Sequence, residues 1–258
     1  MAFVCLMYHS LSDGRFPDSS YLKYTTTRRT FSEHLRHLKE HGYAIISVSR
    51  LLEQLASGRQ PDEKTCVFTF DDGHKSSIEM AEILANSGAG GTFYLTKSYC
   101  EEREDFLKEN EIRSLAQQGF DFGTHGVTHR SLAHMPREEM QDEVRQSKEW
   151  LENVLGKPVR SMSLPAGQGD SEVYRTAYAL GYSVVGNSRE ATNTLDSLPA
   201  AMNRFVILSH HDATAAGKIA SGSLTYIWGR RVRSALLYVP KRILQPYNKT
   251  RDSGPAVK

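Results

Sequence analysis

The run Cys66-Val67-Phe68-Thr69-Phe70-Asp71-Asp72-Gly73 carries an apolar, strand-forming segment straight into two adjacent carboxylates and a glycine. Neighbouring side chains of a strand point to opposite faces, so two adjacent aspartates serve one site only where the strand has ended and the chain turns. Gly73 permits that turn. Further along stands His125-Gly126-Val127-Thr128-His129, with its imidazoles four residues apart. One aspartate and two histidines make a set of three protein ligands for a divalent cation such as zinc. Such a set leaves positions open for water and substrate, which is the catalytic rather than the structural pattern. The second aspartate is then free to act as a base on water. Each half has an ordinary alternative: Asp-Asp-Gly after a strand is a common turn, and a lone His-x-x-x-His is common on surfaces and in cores. Chance produces the two together, each just after a short apolar strand, much less often.

The elements that must hold these residues follow from periodicity. Phe3 to Tyr8 is a continuous apolar run, as in a strand buried on both faces, and His9 follows it at once. Polar sequence to about Thr27 reads as a long loop. Thr30-Phe31-Ser32-Glu33 has the form of a capping box, with Phe31, Leu35 and Leu38 on one helical face. Tyr43 to Ile46 is a strand, and Ser49 is placed to cap a helix through Leu51, Leu52 and Leu55. After the aspartates come a helix through Ile78, Ala81 and Leu84, a strand from Thr92 to Thr96, and a charged loop over 101–110. A helix around 111–118 and a short strand from Phe120 to Thr124 follow. Pro136 opens a long helix to Leu155, closed by Gly156. Val159 to Leu164, Tyr182 to Val185 and Arg204 to Ser209 are strands, with a helix over 171–180 between the first two. Strand and helix alternate without repeats. The expected fold is α/β: a single distorted or incomplete (β/α) barrel of about seven parallel strands. Catalytic residues then gather where the strands end.

Thr69-Phe70-Asp71-Asp72-Gly73 and His125-Gly126-Val127-Thr128-His129, in this order, resemble the first two motifs of the polysaccharide deacetylases, carbohydrate esterase family four. The resemblance spans most of residues 1–210. Tyr8-His9 and Gly42-Tyr43 are similar to the branch acting on exopolysaccharides. It implies that Asp71 is the catalytic base and that Asp72, His125 and His129 hold a divalent metal, with zinc expected. It implies removal of N-acetyl groups from the amino sugars of a surface polysaccharide or its precursor. A backbone N–H in the loop Pro165-Ala166-Gly167 would bind the oxyanion. That third motif departs from the family, which often has an arginine where Ser163 stands and an aromatic residue where Ala166 stands. Arg204 is the substitute expected to orient the base. For the general acid, Leu208-Ser209-His210 fits a family pattern and names His210. His9 is a rival, because it too ends a parallel strand. Two other readings stay open: a metal-dependent C–N hydrolase of small amides, and a glycan-binding module with weakened catalysis.

The chain has 258 residues and a formal net charge of +2, which argues against a dedicated nucleic-acid binder. The charge is uneven. From Gly217 onward nine Lys/Arg face one acid, about +8, which leaves the preceding residues near −6. The expected division is therefore a catalytic domain over 1–216 and a basic tail over 217–258. The tail has interleaved apolar residues compatible with peripheral contact at an anionic membrane face. Cys5, Cys66 and Cys100 read as reduced core thiols of a cytoplasmic protein. Phe3 to Tyr8 is too short for a membrane span. Of the other histidines, His34, His37, His41, His74 and His134 sit among charged residues and read mostly as solvated, with His74 adjoining the first motif. The partner expected is an N-acetylated glycan; the sequence sets no oligomeric state.

Overall fold

The strand Thr65–Phe70 (β5) divides its side chains between two cores, and that division builds the molecule. In the computed structural model, which describes residues 2–12, 22–59, 64–194, 201–223 and 225–229, the chain forms two compact units, Met1–Gly222 and Ser223–Lys258. The first unit begins with β1 (Ala2–Tyr8), β2 (Ser10–Ser12), β3 (Thr25–Thr27), α1 (Arg28–Glu40), β4 (Ala44–Ile46) and α2 (Val48–Ala56), and leads into β5. It continues with α3 (Ser77–Asn86), β6 (Thr92–Leu95), α4 (Lys97–Glu102), α5 (Glu109–Gln117), β7 (Asp121–Thr124) and α6 (Arg137–Leu155). It closes with β8 (Ser161–Ser163), α7 (Ser171–Ala179), β9 (Val184–Gly186), β10 (Asn193–Thr194), β11 (Phe205–Val206) and α8 (Ala213–Ala220). In the second unit, residues 225–229 form a short helical turn and Trp228 is 70% exposed.

Seven parallel strands run β11-β1-β5-β6-β7-β8-β9, with β4 added beside β5 and β10 antiparallel to β1. The sheet curls, and the irregular chain at Met202, bridged to Gly186, joins β9 toward β11. This is the expected distorted barrel. Its outward face carries an aromatic row at matched register: Tyr8 beside Phe70, Phe70 beside Phe93, Phe93 beside Phe122. Ring centroids lie 5.7, 4.7 and 5.7 Å apart, and Phe31 of α1 packs edge-on against Tyr8 and Phe70. Truncating one such ring costs about 3–5 kcal/mol. Inside, Phe3, Cys5, Val67, Val184 and Met202 pack with Val48 and Leu51 of α2 and plug the N-terminal end of the barrel. The opposite end stays open for polar groups.

Several local expectations change. α1 starts at Arg28, because the Thr27 hydroxyl accepts from Thr30 N–H and takes the cap from Thr30. Ser47, not Ser49, caps α2; Ser49 instead donates to Asp121. The polar stretch after His9 is not all loop: β2 and β3 pair parallel across it. The charged loop expected over 101–110 is shorter: α4 runs into it as far as Glu102 and α5 begins at Glu109. The first compact unit runs through α8 to Gly222, past the expected division at 216. His34 and His74 are buried, not solvated. All three cysteines are buried free thiols. The basic tail from residue 230 lies outside the described residues, and with it the expectation of membrane contact. Among the described residues no helix is long and apolar enough to cross a membrane.

Candidate metal and catalytic centre

Alternation along β5 delivers the first carboxylate. Phe68 and Phe70 point outward, so Thr69 and Asp71 share the inner face. Asp71 N–H still donates to Tyr8 O at 2.9 Å, which continues the ladder one residue past the strand. The chain then turns: Asp72 has φ +76° and Gly73 φ +85°. Left-handed backbone at a non-glycine residue is uncommon, and here it swings the second carboxylate to the same rim as the first. A Cβ at Gly73 would come within 2.8 Å of Leu95 Cδ2, so glycine is required for space as well as for φ. Among the described residues the non-glycine positions with positive φ are Asp72, His129 and Ala166. All three lie on one cleft, as expected of strain concentrated at a working site.

That cleft, about 480 Å³, is lined by Met7, His9, Tyr24, Asp71, Asp72, Tyr99, His125, His129, Leu164, Ala166, Gly167, Ser188 and Val206. His125 follows β7 and donates Nδ1–H to Ser163 O at 2.9 Å, which leaves Nε2 as the acceptor. Its Nε2 lies 3.4 Å from Asp72 Oδ1, and His129 Nε2 lies 3.1 Å from the same oxygen. Asp72 Oδ1 is buried, and neither imidazole offers it an N–H in hydrogen-bonding geometry. Three potential ligand atoms thus converge on one small volume. Ligands about 2.0–2.2 Å from one zinc ion stand about 3.0–3.5 Å from each other, so these separations suit a shared cation. The ligand atoms of Asp72, His125 and His129 all fall within 4.8 Å of one another. The three residues fit a divalent metal.

The electrostatics of the three residues differ in direction. Burial opposes ionisation of Asp72, but the imidazoles of His129, His9 and His125 outweigh it and hold the carboxyl far below the usual range. Burial pushes His125 down to about 4, against the pull of Asp71 and Asp72, so its ring is neutral at pH 7. For His129 burial also lowers the pKa, but Asp72 prevails and raises it.

Asp71 is held from the other side. Arg204 is fully buried, and it donates Nη1–H to Asp71 Oδ1 at 2.7 Å and Nη2–H to Asp71 Oδ2 at 2.9 Å. Its Nε donates to Asn187 O and its Nη1 reaches Thr69 Oγ1, the inner-face neighbour of Asp71. Burial works against the Asp71 charge, but Arg204, then His125, more than offset it and keep the carboxyl below its ordinary value. Ser163, a residue to which the sequence assigned no role, donates its hydroxyl to Asp71 Oδ2 at 2.9 Å and accepts from Arg204 Nη2 at 2.6 Å. The signal for it was positional: it stands where the family pattern has its arginine.

The two candidate acids separate. His9 lines the cleft, with its ring 4.8 Å from that of Tyr24; its Nδ1 is buried and meets no partner among the described residues. His210 is exposed on a turn beyond β11 and does not line the cleft. The reason is local: Ile207 N–H still bonds to Met7 O, after which the chain leaves the sheet, and His211 turns inward to accept from Leu208 N–H. Ala166, at φ +56°, is on the cleft wall with Gly167. Any Cβ at Gly167 would collide with Ser188 at 1.9 Å. Tyr99 stacks on His129, with ring centroids 5.4 Å apart; as one tyrosine of a helical segment it carried no motif.

Comparison with known proteins identifies the family. The family description "Polysaccharide deacetylase" matches residues 58–185, about half of the chain, which takes in both the Asp-Asp and the His-His motifs. YxkH of Bacillus subtilis is 24% identical over 213 residues, covering 82% of this chain and 74% of that protein. The peptidoglycan-N-acetylglucosamine deacetylase of Bacillus cereus is 28% identical over 167 residues, covering 64% of this chain and 56% of that protein. The Streptococcus pyogenes deacetylase PplD, solved in complex with acetate, superposes with a TM-score of 0.77 at 20% identity, over 85% of this chain and 98% of that one. A matching domain, relatives aligned along most of the chain and a shared barrel lead to one conclusion: this chain is an enzyme of the polysaccharide deacetylase family.

Proposed function

We propose that the protein is a metal-dependent deacetylase that removes N-acetyl groups from the amino sugars of a surface polysaccharide or its precursor, with zinc as the metal. The observation that carries this reading is the convergence of Asp72, His125 and His129 beside an Asp71 held by Arg204. A divalent ion at that position supplies Lewis acidity toward the amide carbonyl and makes water a better nucleophile near neutral pH. Asp71, ionised across the working range, accepts the proton of the attacking water. Arg204 and Ser163 keep its carboxylate facing that water. An N–H at Ala166 is available to the developing oxyanion. His9, which lines the same cleft and has a buried nitrogen without a partner among the described residues, delivers a proton to the departing amine. Amine departure needs that proton, because an amide nitrogen leaves poorly as an anion.

The cleft supports a glycan over a compact small amide. It is open, and Tyr24 and Tyr99 stand in its wall, where aromatic faces can meet sugar rings. Its volume of about 480 Å³ is large enough to take a sugar unit. The test is acetate release by the purified protein, chelated or supplied with zinc. The substrates are N-acetylglucosamine oligomers, poly-N-acetylglucosamine and a panel of small N-acetyl amides. Zinc-dependent release from the glycans supports the proposal; release only from the small amides replaces it.

A further inference from the structure

We infer that Glu143 is a positioning residue for both histidines, an inference that rests on reading Asp72, His125 and His129 as a metal centre. Glu143 lies on α6 and is buried, 6% exposed. Its Oε2 accepts from Val127 N–H at 2.6 Å and Thr128 N–H at 3.0 Å, and its Oε1 accepts from the Thr128 hydroxyl. The carbonyls of the same loop are taken up elsewhere: Lys97 N–H binds Gly126 O at 3.2 Å and Ser98 N–H binds Val127 O at 2.9 Å. The residues between the two histidines are thus held on both edges, carbonyls by α4 and N–H groups by α6. The carboxylate also presses close at Gly126, where φ is +76° and a Cβ would stand 3.0 Å from Glu143 Oε2.

This clamp accounts for a feature of the second histidine. His129 sits at φ +59° without being a glycine. Such a residue keeps its conformation only where its surroundings over-determine it. A buried carboxylate is costly unless hydrogen-bonded, and an apolar side chain would pack α6 more cheaply. Glu143 instead makes charge-assisted bonds to the loop that joins the two ligands. It touches neither metal nor substrate, and acts through the backbone that aims His129.

The test is zinc affinity of the full chain, measured by competition with a chromophoric chelator, for wild type, E143A and E143Q, together with the metal-free melting temperature. Glutamine can set its amide oxygen on the two N–H groups and its NH2 on the Thr128 hydroxyl. E143Q should hold zinc within about threefold of wild type, and E143A should weaken it about thirtyfold or more. A merely structural role would lower the metal-free melting temperature of E143A and leave its zinc affinity alone; that result overturns the inference. E143Q as weak as E143A also overturns it. A wild type that binds no zinc overturns the metal reading beneath it. Should E143A not fold, Thr128→Val poses the same question from the loop: it should weaken zinc about threefold to tenfold, and unchanged affinity would count against the clamp.

Discussion

Arg204 grips both oxygens of Asp71 from 133 residues further along the chain, at 2.7 and 2.9 Å. The pair is fully buried, and its two planar groups meet in the fork geometry that lysine cannot reproduce. It ties the last strand of the barrel to the proposed base at the end of β5. Breaking a buried pair by removing one partner costs about 3–5 kcal/mol. Arg204→Ala should therefore lower stability by about that amount and kcat by about a hundredfold, and Arg204→Lys should recover part of both. Turnover unchanged in a zinc-loaded Arg204→Ala would remove the arginine from the mechanism.

Asp71 and Asp72 are neighbours with different proposed duties, and the difference is measurable. Asp71→Asn should bind zinc as wild type does and lose about 10²–10⁴ in kcat, because the amide cannot take a proton. Asp72→Asn should lose zinc itself. Equal zinc loss in both variants would mean that the two carboxylates share the metal. The same pair of variants separates an enzyme from a glycan-binding module, since a module would lose no chemistry in Asp71→Asn.

Position favours His9 over His210 as the proposed acid. His9→Asn should cost about a hundredfold in kcat and flatten the alkaline limb of the pH profile, since the group that must carry the proton is gone. His210→Ala, on the exposed turn, should stay within about twofold of wild type. A pH profile of His9→Asn that keeps its alkaline limb would reassign the proton donor.

His34 supplies a pH dependence unconnected with catalysis. Its Nε2–H donates to His211 O at 2.9 Å, and in the neutral ring its Nδ1, 3.2 Å from the Tyr8 hydroxyl, accepts from it. Burial lowers its pKa in the fold. Above the ordinary value of about 6.5 both folded and unfolded chains carry it neutral, so its contribution is complete there. As pH falls below that value the unfolded chain takes up a proton that the folded one resists, and stability drops. The urea midpoint of wild type should fall more steeply between about pH 7.5 and 5.5 than that of His34→Gln. Equal slopes would show that His34 titrates freely in the fold.

The grouping of Asp72, His125 and His129 was legible because its signals are local: a strand end, a turn glycine, and a four-residue spacing. The barrel was legible because β1 and β5 are unbroken apolar runs. What depended on distant pairing was harder. Arg204 could be linked to Asp71 only through the arginine missing at Ser163, and Ser163 itself gained its role from the curl that turns the inner face of β8 toward that of β5, with β6 and β7 between them. His210 fitted a pattern, but the chain leaves the sheet after Ile207, an event no local residue announces. His34 was misread from its charged neighbours, although it sits three residues after Phe31 and four before Leu38, on the inward face of α1. β2 and β3 are three-residue strands that exist only through each other.

The centre itself can be located directly. Crystals of the protein grown with zinc, measured on both sides of the zinc absorption edge, should show one strong anomalous peak about 2.0–2.2 Å from Asp72, His125 Nε2 and His129 Nε2. Asp71 should lie beside that peak without ligating it, still paired with Arg204. A peak at some other cluster of side chains, or none in the cleft at saturating zinc, would contradict the account.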